Sequence, residues 1–544
     1  VNEHRTDLSR PRGGAARRRT VLAAGGAAAA TLALADCGGG SGGSGSANGS
    51  SGSAGSSGDG GTPEPGGRLR AAFAGGGANE TLDPHLTNLF ADAARAKALF
   101  DKLADFGSDM SAQPRLAERW EPNDGLDRWT LTLRSAQWHD GTPVTAADVL
   151  YSYRRIADPE QAFRAKAALE PIDLDASEAA DATTVVFQLK HPYAEFPNVL
   201  AAFGAYIVPD GATEFDAPVG SGPFRFVSFE PGRSLLVERF DDYWDGAPHL
   251  DELELVVADE ESARINALLG GQVEYAHELN PATARTHEDG DRITVVRLRN
   301  SAMQGFVMKT DRPPFDDPRV REAFMLIADR QELIDGALSG AAEIGNDLFG
   351  KGYQYYAADI PQRVQDLDRA RELLREAGYD EEAGSGLTVT LDTSPVATGF
   401  VESAEIFREQ AAAAGVTIEV KTGNKDTYWA ETLESGAIAC TRSGTMPIES
   451  HISQRLLTDS PTNATKWRRA DFDALYQEAQ ATRDETERAG LYARMQRQLH
   501  TEGGFLIWGF ADWIVATAPS VRGVAADAPA NTLDWARFDR VWLA

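Results

Sequence analysis

Trp129 to Arg155 reads WTLTLRSAQWHDGTPVTAADVLYSYRR. Trp129, Leu131 and Leu133 alternate with Thr130, Thr132 and Arg134, and a period of two with one apolar face predicts a strand. His139-Asp140-Gly141 then supplies turn chemistry, since glycine takes a positive φ without a steric penalty. A helix follows. Thr145 stands three residues before Asp148 as an N-cap pair, with Pro143 just upstream. Val149, Leu150 and Tyr153 recur at helical spacing. Nothing in the unit has a catalytic form.

Neighbouring segments extend the pattern. Leu82-Asp83-Pro84-His85 follows a first strand at Leu69–Phe73, and Pro114 to Trp120 reads PRLAERW. Val219 to Phe224 reads VGSGPF, Asp242 to Pro248 reads DYWDGAP, and Pro313 to Phe324 reads PPFDDPRVREAF. Together with the opening stretch, these segments resemble the hallmarks of the family 5 solute-binding proteins. Those are the extracytoplasmic receptors of peptide, nickel and related ABC importers. The resemblance runs from about Leu69 to the C-terminus. It implies an α/β, type II periplasmic-binding-protein fold with two lobes, hinge strands and an additional domain, three domains in all. By that likeness residues 67–105, 214–300 and 504–544 form domain I, 106–213 domain II, and 301–503 domain III.

The chain has 544 residues, a length that suits about three domains. A hydrophobic content of 42% is enough for large cores, which argues against disorder. The net charge of −29 argues against nucleic acid, whose phosphates need Lys and Arg. Acidity and soluble composition make a monomer the expectation.

The N-terminus reads as a targeting segment, residues 1–37. Arg17-Arg18-Arg19 precedes Thr20-Val21-Leu22 and an Ala/Gly-rich apolar run to Ala35, as in a twin-arginine export signal. Leu34-Ala35-Asp36-Cys37 resembles a lipobox, with Asp36 departing from the small neutral residue usual before the cysteine. Cys37 is therefore the expected lipidation site. Residues 38–66 follow as a flexible tether, nearly all Gly, Ser and Ala to Gly61. The expected place is outside the cytoplasm, on the cell membrane through that lipid anchor. Only one other cysteine exists, Cys440, so lipidation of Cys37 leaves the mature domain without a disulfide.

Further elements follow from periodicity and breakers. Helices are expected at 91–103, 263–269, 367–379 closed by Gly378, 401–414, and as a pair over 470–500. Strands are expected at 180–189, 235–240, 253–257, 387–391 and 416–420, and 505–515 is apolar and aromatic. The order strand, helix, strand over 387–420 predicts a parallel unit. Asp241, Asp245, Gly246 and Glu252 fit four positions of a calcium loop. Tyr243 at the third position ligates poorly, so a structural turn is the better reading.

Catalytic signatures are missing. Outside the tether there is no G-x-S-x-G, no H-E-x-x-H and no C-x-x-C, and the nine histidines are scattered. His139 reads as structural. The reading is a receptor rather than an enzyme, with no cofactor and no metal. It would take a small-molecule or peptide ligand and serve an ABC permease. The alternatives are a secreted hydrolase reusing a binding fold and a nickel-chelate or haem receptor.

Ligand-facing positions follow from the resemblance. Peptide-binding relatives hold an aspartate for the peptide's amino terminus in a segment like R-x-G-W-x-x-D-Y-P. The corresponding stretch here is Thr441, Arg442, Ser443, Gly444, Thr445, Met446, Pro447, Ile448 and Glu449. Arg442 and Gly444 align, Thr445 replaces the tryptophan, and the aspartate has no counterpart. Either the ligand is not a simple free-amine peptide, or another acid serves. Further candidates are Asn79, Glu80 and Thr81, then Tyr428 and Trp429. Trp508, with Phe510 and Trp513 beside it, completes the set.

Overall fold

The computed structural model describes residues 62–77, 80–87, 89–460, 462–524 and 536–544. The expected signal, lipobox and most of the tether, Cys37 included, lie outside the described residues, as does Asn79. Residues from 61 onward make one compact unit.

Strand β1 (Arg68–Phe73) opens the fold. A short hairpin follows, β2 (Ala104–Phe106) with β3 (Ala112–Pro114). Four antiparallel strands then form a small sheet: β4 (Ala117–Pro122), β5 (Arg128–Leu133), β6 (Ile172–Ala179) and β7 (Thr184–Leu189), in the order β4-β5-β7-β6. Next come β8 (Phe224–Glu230), β9 (Ser234–Arg239), β10 (Glu252–Val257) and the short β11 (Tyr275–Ala276). Six more follow, β12 (Thr294–Met308), β13 (Ala342–Ile344), β14 (Leu387–Thr393), β15 (Val416–Thr422), β16 (Ile438–Gly444) and β17 (Phe505–Thr517), before a short terminal pair, Val521–Arg522 with Trp542–Leu543. Among the described residues, eleven strands join in one large sheet, in the order β15-β14-β16-β12-β17-β11-β1-β10-β9-β8, with β13 on β17.

The opening stretch folds as its pattern dictates. β5 turns Trp129, Leu131 and Leu133 inward, and the helix Ala146–Ala157 buries Val149, Leu150 and Tyr153. The Asp148 carboxylate caps that helix, accepting from the Thr145 N–H at 2.7 Å and its hydroxyl at 2.8 Å. It also accepts the Asp210 N–H at 2.8 Å. The turn between strand and helix is fastened by His139. Its Nδ1 accepts from the Gly220 N–H at 3.1 Å, and its Nε2 donates to the Gly222 carbonyl at 3.0 Å. Strand, turn, helix and glycine loop are thus one piece.

That glycine loop corrects one boundary. The helix expected over 91–103 spans Phe90–Leu99. It stops there because the Gly222 N–H takes the Leu99 carbonyl at 2.9 Å. A Cβ on Gly220 would stand 1.7 Å from the same oxygen. The parallel unit appears as expected: β14 and β15 pair in parallel across the helix Phe400–Ala413. The strand expected over 180–189 begins only at Thr184, since Asp181 accepts the Thr183 N–H and turns the chain there.

Apolar side chains gather around five centres among the described residues, three of which frame the site. One lies under the small sheet, from Leu103 to Ile207. A second surrounds β1, β9 and β10 and takes in Val515 and Phe538. The third surrounds the first half of β17, β14 and the helices at 318–338 and 400–413. β12 and β17 are the strands that run through both of the last two. Their pairing is continuous from Thr294 to Leu298 and resumes at Ala302 after a register break, with a second, one-residue shift between Gln304 and Gly305. At the break Asn300 adopts φ +57°, a bulge that bends the strand where one core gives way to the other.

Candidate cleft between the two large cores

The break in β12 lies close to a cavity of about 190 Å³. One wall comes from the helix Glu261–Leu269 and the segment that follows β11: Glu261, Arg264, Glu278, Leu279, Asn280 and Pro281. The opposite wall comes from the neighbouring core: Ala302, Gln304, Leu338, Thr398 and Arg442. Ala511 to Ile514 of β17 form the floor between them.

Five charged side chains line this space, and their engagements differ. Arg264 is buried and largely committed to backbone. Its guanidinium donates to the carbonyls of His277 (2.8 Å), Ala258 (2.9 Å), Asp259 (2.7 Å) and Glu278 (3.0 Å). It thereby pins the turn that carries Glu278, which has φ +55°. Glu261 accepts the Asn280 N–H at 3.0 Å. Asp512 pairs with Arg297 at 3.5 Å, and burial pushes its carboxyl above the ordinary value. Arg442 and Glu278 are half-buried and face each other. Burial raises the Glu278 carboxyl, while the charges of Arg442 and then Arg264 pull it down. Neither side chain has a hydrogen-bond partner among the described residues.

Two buried polar groups join them. Gln304, 3% exposed, sits directly across from Arg442 in the β12–β16 ladder, so both side chains rise from one face. Among the described residues its Oε1 has no partner, and neither has the indole Nε1 of Trp513, which is 7% exposed. Buried polar atoms in native proteins are nearly always paired, so these two are available to the polar groups of whatever enters the cavity.

Of the expected site residues, this cavity takes Arg442 and Trp513. The others are placed as follows. Glu80 pairs with Arg95 at 2.9 Å and accepts the Gly232 N–H. Thr81 caps the turn at Asp83. The Tyr428 hydroxyl donates to the Cys440 carbonyl at 2.7 Å inside the core, and Trp429 is exposed against Phe400. Thr441 and Ser443 are buried in β16, Gly444 is exposed, and Thr445 and Met446 are half-buried beyond it. Glu449 is 1% exposed and hydrogen-bonded to Tyr476 at 2.6 Å. Trp508 is 1% exposed within the third core, and Phe510 is likewise buried. Buried Cys440 is a free thiol, pushed up to about 12 by burial. Asp245, of the rejected calcium loop, is held by Arg115 and Arg540, both at 2.7 Å.

Sequence reading missed Glu278, Gln304 and Asp512. Gln304 did leave a signal: a polar residue beside glycine inside the otherwise apolar run AMQGFVM. A lone polar residue on a buried strand is the informative exception to apolar cores.

The profile of bacterial extracellular solute-binding proteins, family 5 (middle), matches residues 111–459. The chain belongs to that family. The glutathione-binding protein GsiB of Pectobacterium atrosepticum is 28% identical over 459 residues, covering 82% of this chain and 87% of that one. Among solved structures, the substrate-binding protein CtaP of Listeria monocytogenes superposes with a TM-score of 0.76 at 22% identity, over 88% of this chain and all of its own. AgaA from A. tumefacien R10, in complex with agropinic acid, gives 0.70 at 24% identity, over 88% and 99%. The fold is therefore the type II periplasmic-binding-protein fold, and the chain is the substrate-binding protein of an ABC importer. No helix among the described residues is long and apolar enough to cross a membrane.

Proposed function

We propose that this family 5 receptor captures a small peptide-like solute bearing a carboxylate, seats that carboxylate on Arg442, and delivers the solute unchanged to a membrane permease. The observation that carries this is the Arg442 guanidinium, half-buried in the cleft with no hydrogen-bond partner among the described residues. A charge taken out of water must be compensated, and a ligand carboxylate does so with paired N–H donors. GsiB binds glutathione, a tripeptide with two carboxylates, and AgaA was solved with agropinic acid. Both relatives fit an acid on that arginine.

The cores around β1 and β14 act as the two lobes, residues 67–105, 214–300 and 504–544 against 301–503, with 106–213 as the added domain. Closure buries the solute, and the population of the closed form rises by the solute's differential affinity. Export by the twin-arginine route and a lipid on Cys37 place the receptor on the outer face of the membrane, as a monomer and without catalytic turnover.

Isothermal titration with glutathione, di- and tripeptides and their C-terminal amides tests the reading. Acids are expected to bind and amides to fail. Arg442→Ala is expected to weaken acids by about 30-fold or more, the cost of stripping one partner from a buried charge pair. An Arg442→Ala receptor with unchanged affinity for every acid overturns it, as does hydrolysis of the bound solute.

A further inference from the structure

We propose that Glu278 is the specificity residue for a protonated amine on the solute, so that the cleft takes molecules carrying an amine together with a carboxylate. The proposal rests on the functional reading above and adds the second pole of recognition.

Three carboxylates line the cleft, and two are spoken for: Glu261 by the Asn280 N–H and Asp512 by Arg297. Glu278 alone among these three keeps both oxygens free of hydrogen bonds. Its position is not accidental. Arg264 spends two of its N–H groups on the carbonyls of His277 and Glu278, fixing a backbone with φ +55° that a non-glycine residue rarely adopts. Arg264 is therefore a positioning residue, with four of its five N–H groups spent on backbone carbonyls, and the turn it holds presents the Glu278 carboxylate to the cleft.

Across the space stand Arg442 and, beside it on the neighbouring strand, the buried and unpaired Oε1 of Gln304. Glu278 and Gln304 Oε1 are acceptors from opposite walls. Both call for donors. A solute with only acidic groups, once enclosed, separates Glu278 from Arg442 and leaves a carboxylate desolvated without a counter-charge. A solute with an ammonium satisfies Glu278 and Gln304 while its carboxylate satisfies Arg442. Removing one partner of such a pair costs more than the pair is worth, which turns the arrangement into discrimination.

The test uses the full receptor and matched probes, glutathione and N-acetylglutathione together with di- and tripeptides and their N-acetyl forms, titrated by calorimetry. Wild type is expected to bind the free amines about tenfold or more tighter than the acetyl forms. Glu278→Gln is expected to bring the amines down to the acetyl level and to leave the acetyl forms unchanged. Equal affinity of wild type for both members of each bound pair overturns the proposal and leaves the functional reading standing. So does an equal loss of both members in Glu278→Gln, which marks a structural role only. If no carboxylate-bearing probe binds, the functional reading falls and this proposal falls with it. The comparison of amine and acetyl forms in wild type needs no variant, so a poorly folding Glu278→Gln does not protect the idea.

Discussion

Glu449 and His139 are ionisable side chains taken out of water with opposite consequences for stability. Glu449 lies among Tyr476 (2.6 Å), Ser450 (3.1 Å) and Tyr193, with Glu195 near and no cation against it. Burial raises its carboxyl above the ordinary glutamate value. The folded state therefore binds the proton more tightly than the unfolded chain, so this group's contribution falls as pH rises above about 4.5. Glu449→Gln keeps an acceptor for Tyr476 and removes that penalty. It is expected to raise the urea midpoint at pH 7 and to change it little at pH 4. His139 runs the other way. Burial, with Arg225 adding to it and Asp140 opposing, lowers the imidazole to about 4. A neutral ring is what the turn requires, because Nδ1 accepts from Gly220. Its contribution is whole above pH 6.5 and is lost as pH falls to about 4, up to about 3 kcal/mol. Urea unfolding from pH 7 to 4.5 is expected to show a slope that His139→Gln flattens. A variant with the wild-type slope refutes the assignment.

The strand, turn and helix of residues 129–155 were legible because each part announces itself locally: alternation, a glycine turn, a capping pair. Termination of the helix at Leu99 was not, since the N–H that ends it comes from Gly222, far along the chain. The same division runs through the site. Arg442 was found through a motif that stays contiguous in sequence. Glu278 was missed because its role comes from a backbone turn held by Arg264 and from an opposite wall contributed by another core. Trp508 and Tyr428 look like ligand-facing aromatics in sequence, yet burial alone decides where they point. The contact between helix and loop is itself testable. An added Cβ at Gly220 meets the Leu99 carbonyl at 1.7 Å, and at Gly222 it meets Leu99 and Phe100 backbone atoms at 2.6 Å. Backbone cannot yield as a side-chain tip can. Gly220→Ala is expected to cost about 3 kcal/mol or more, whereas Gly211→Ala, where the space is open, pays only for its positive φ of 80°. Thermal unfolding of the pair separates close approach from backbone freedom.

Over the whole molecule, the small sheet is joined to the two large cores by different means. Toward the β1 core the fastening is a dense network. Arg115 pairs with Asp245 at 2.7 Å, donates to the Tyr243 hydroxyl at 2.7 Å and reaches Asp101 at 3.4 Å. Toward the β14 side the links centre on Glu195, which pairs with Arg488 at 2.6 Å and accepts the Tyr355 hydroxyl at 3.0 Å, with the Ala194 N–H on the Gln480 carbonyl at 2.8 Å beside it. If the lobes swing about the break in β12, the first set travels as one body and the second opens. The Glu195–Arg488 pair then holds the closed form without touching the solute. Removing one charge would leave the other buried, so both are replaced together, Glu195→Gln with Arg488→Met, to keep volume and cancel the charge. The double variant is expected to raise the radius of gyration of the solute-free receptor by small-angle scattering. It should also weaken every bound solute by one common factor, since affinity scales with the fraction of the competent form. Arg442→Ala, by contrast, discriminates among solutes. Unchanged scattering and unchanged affinities in the double variant would place the hinge elsewhere.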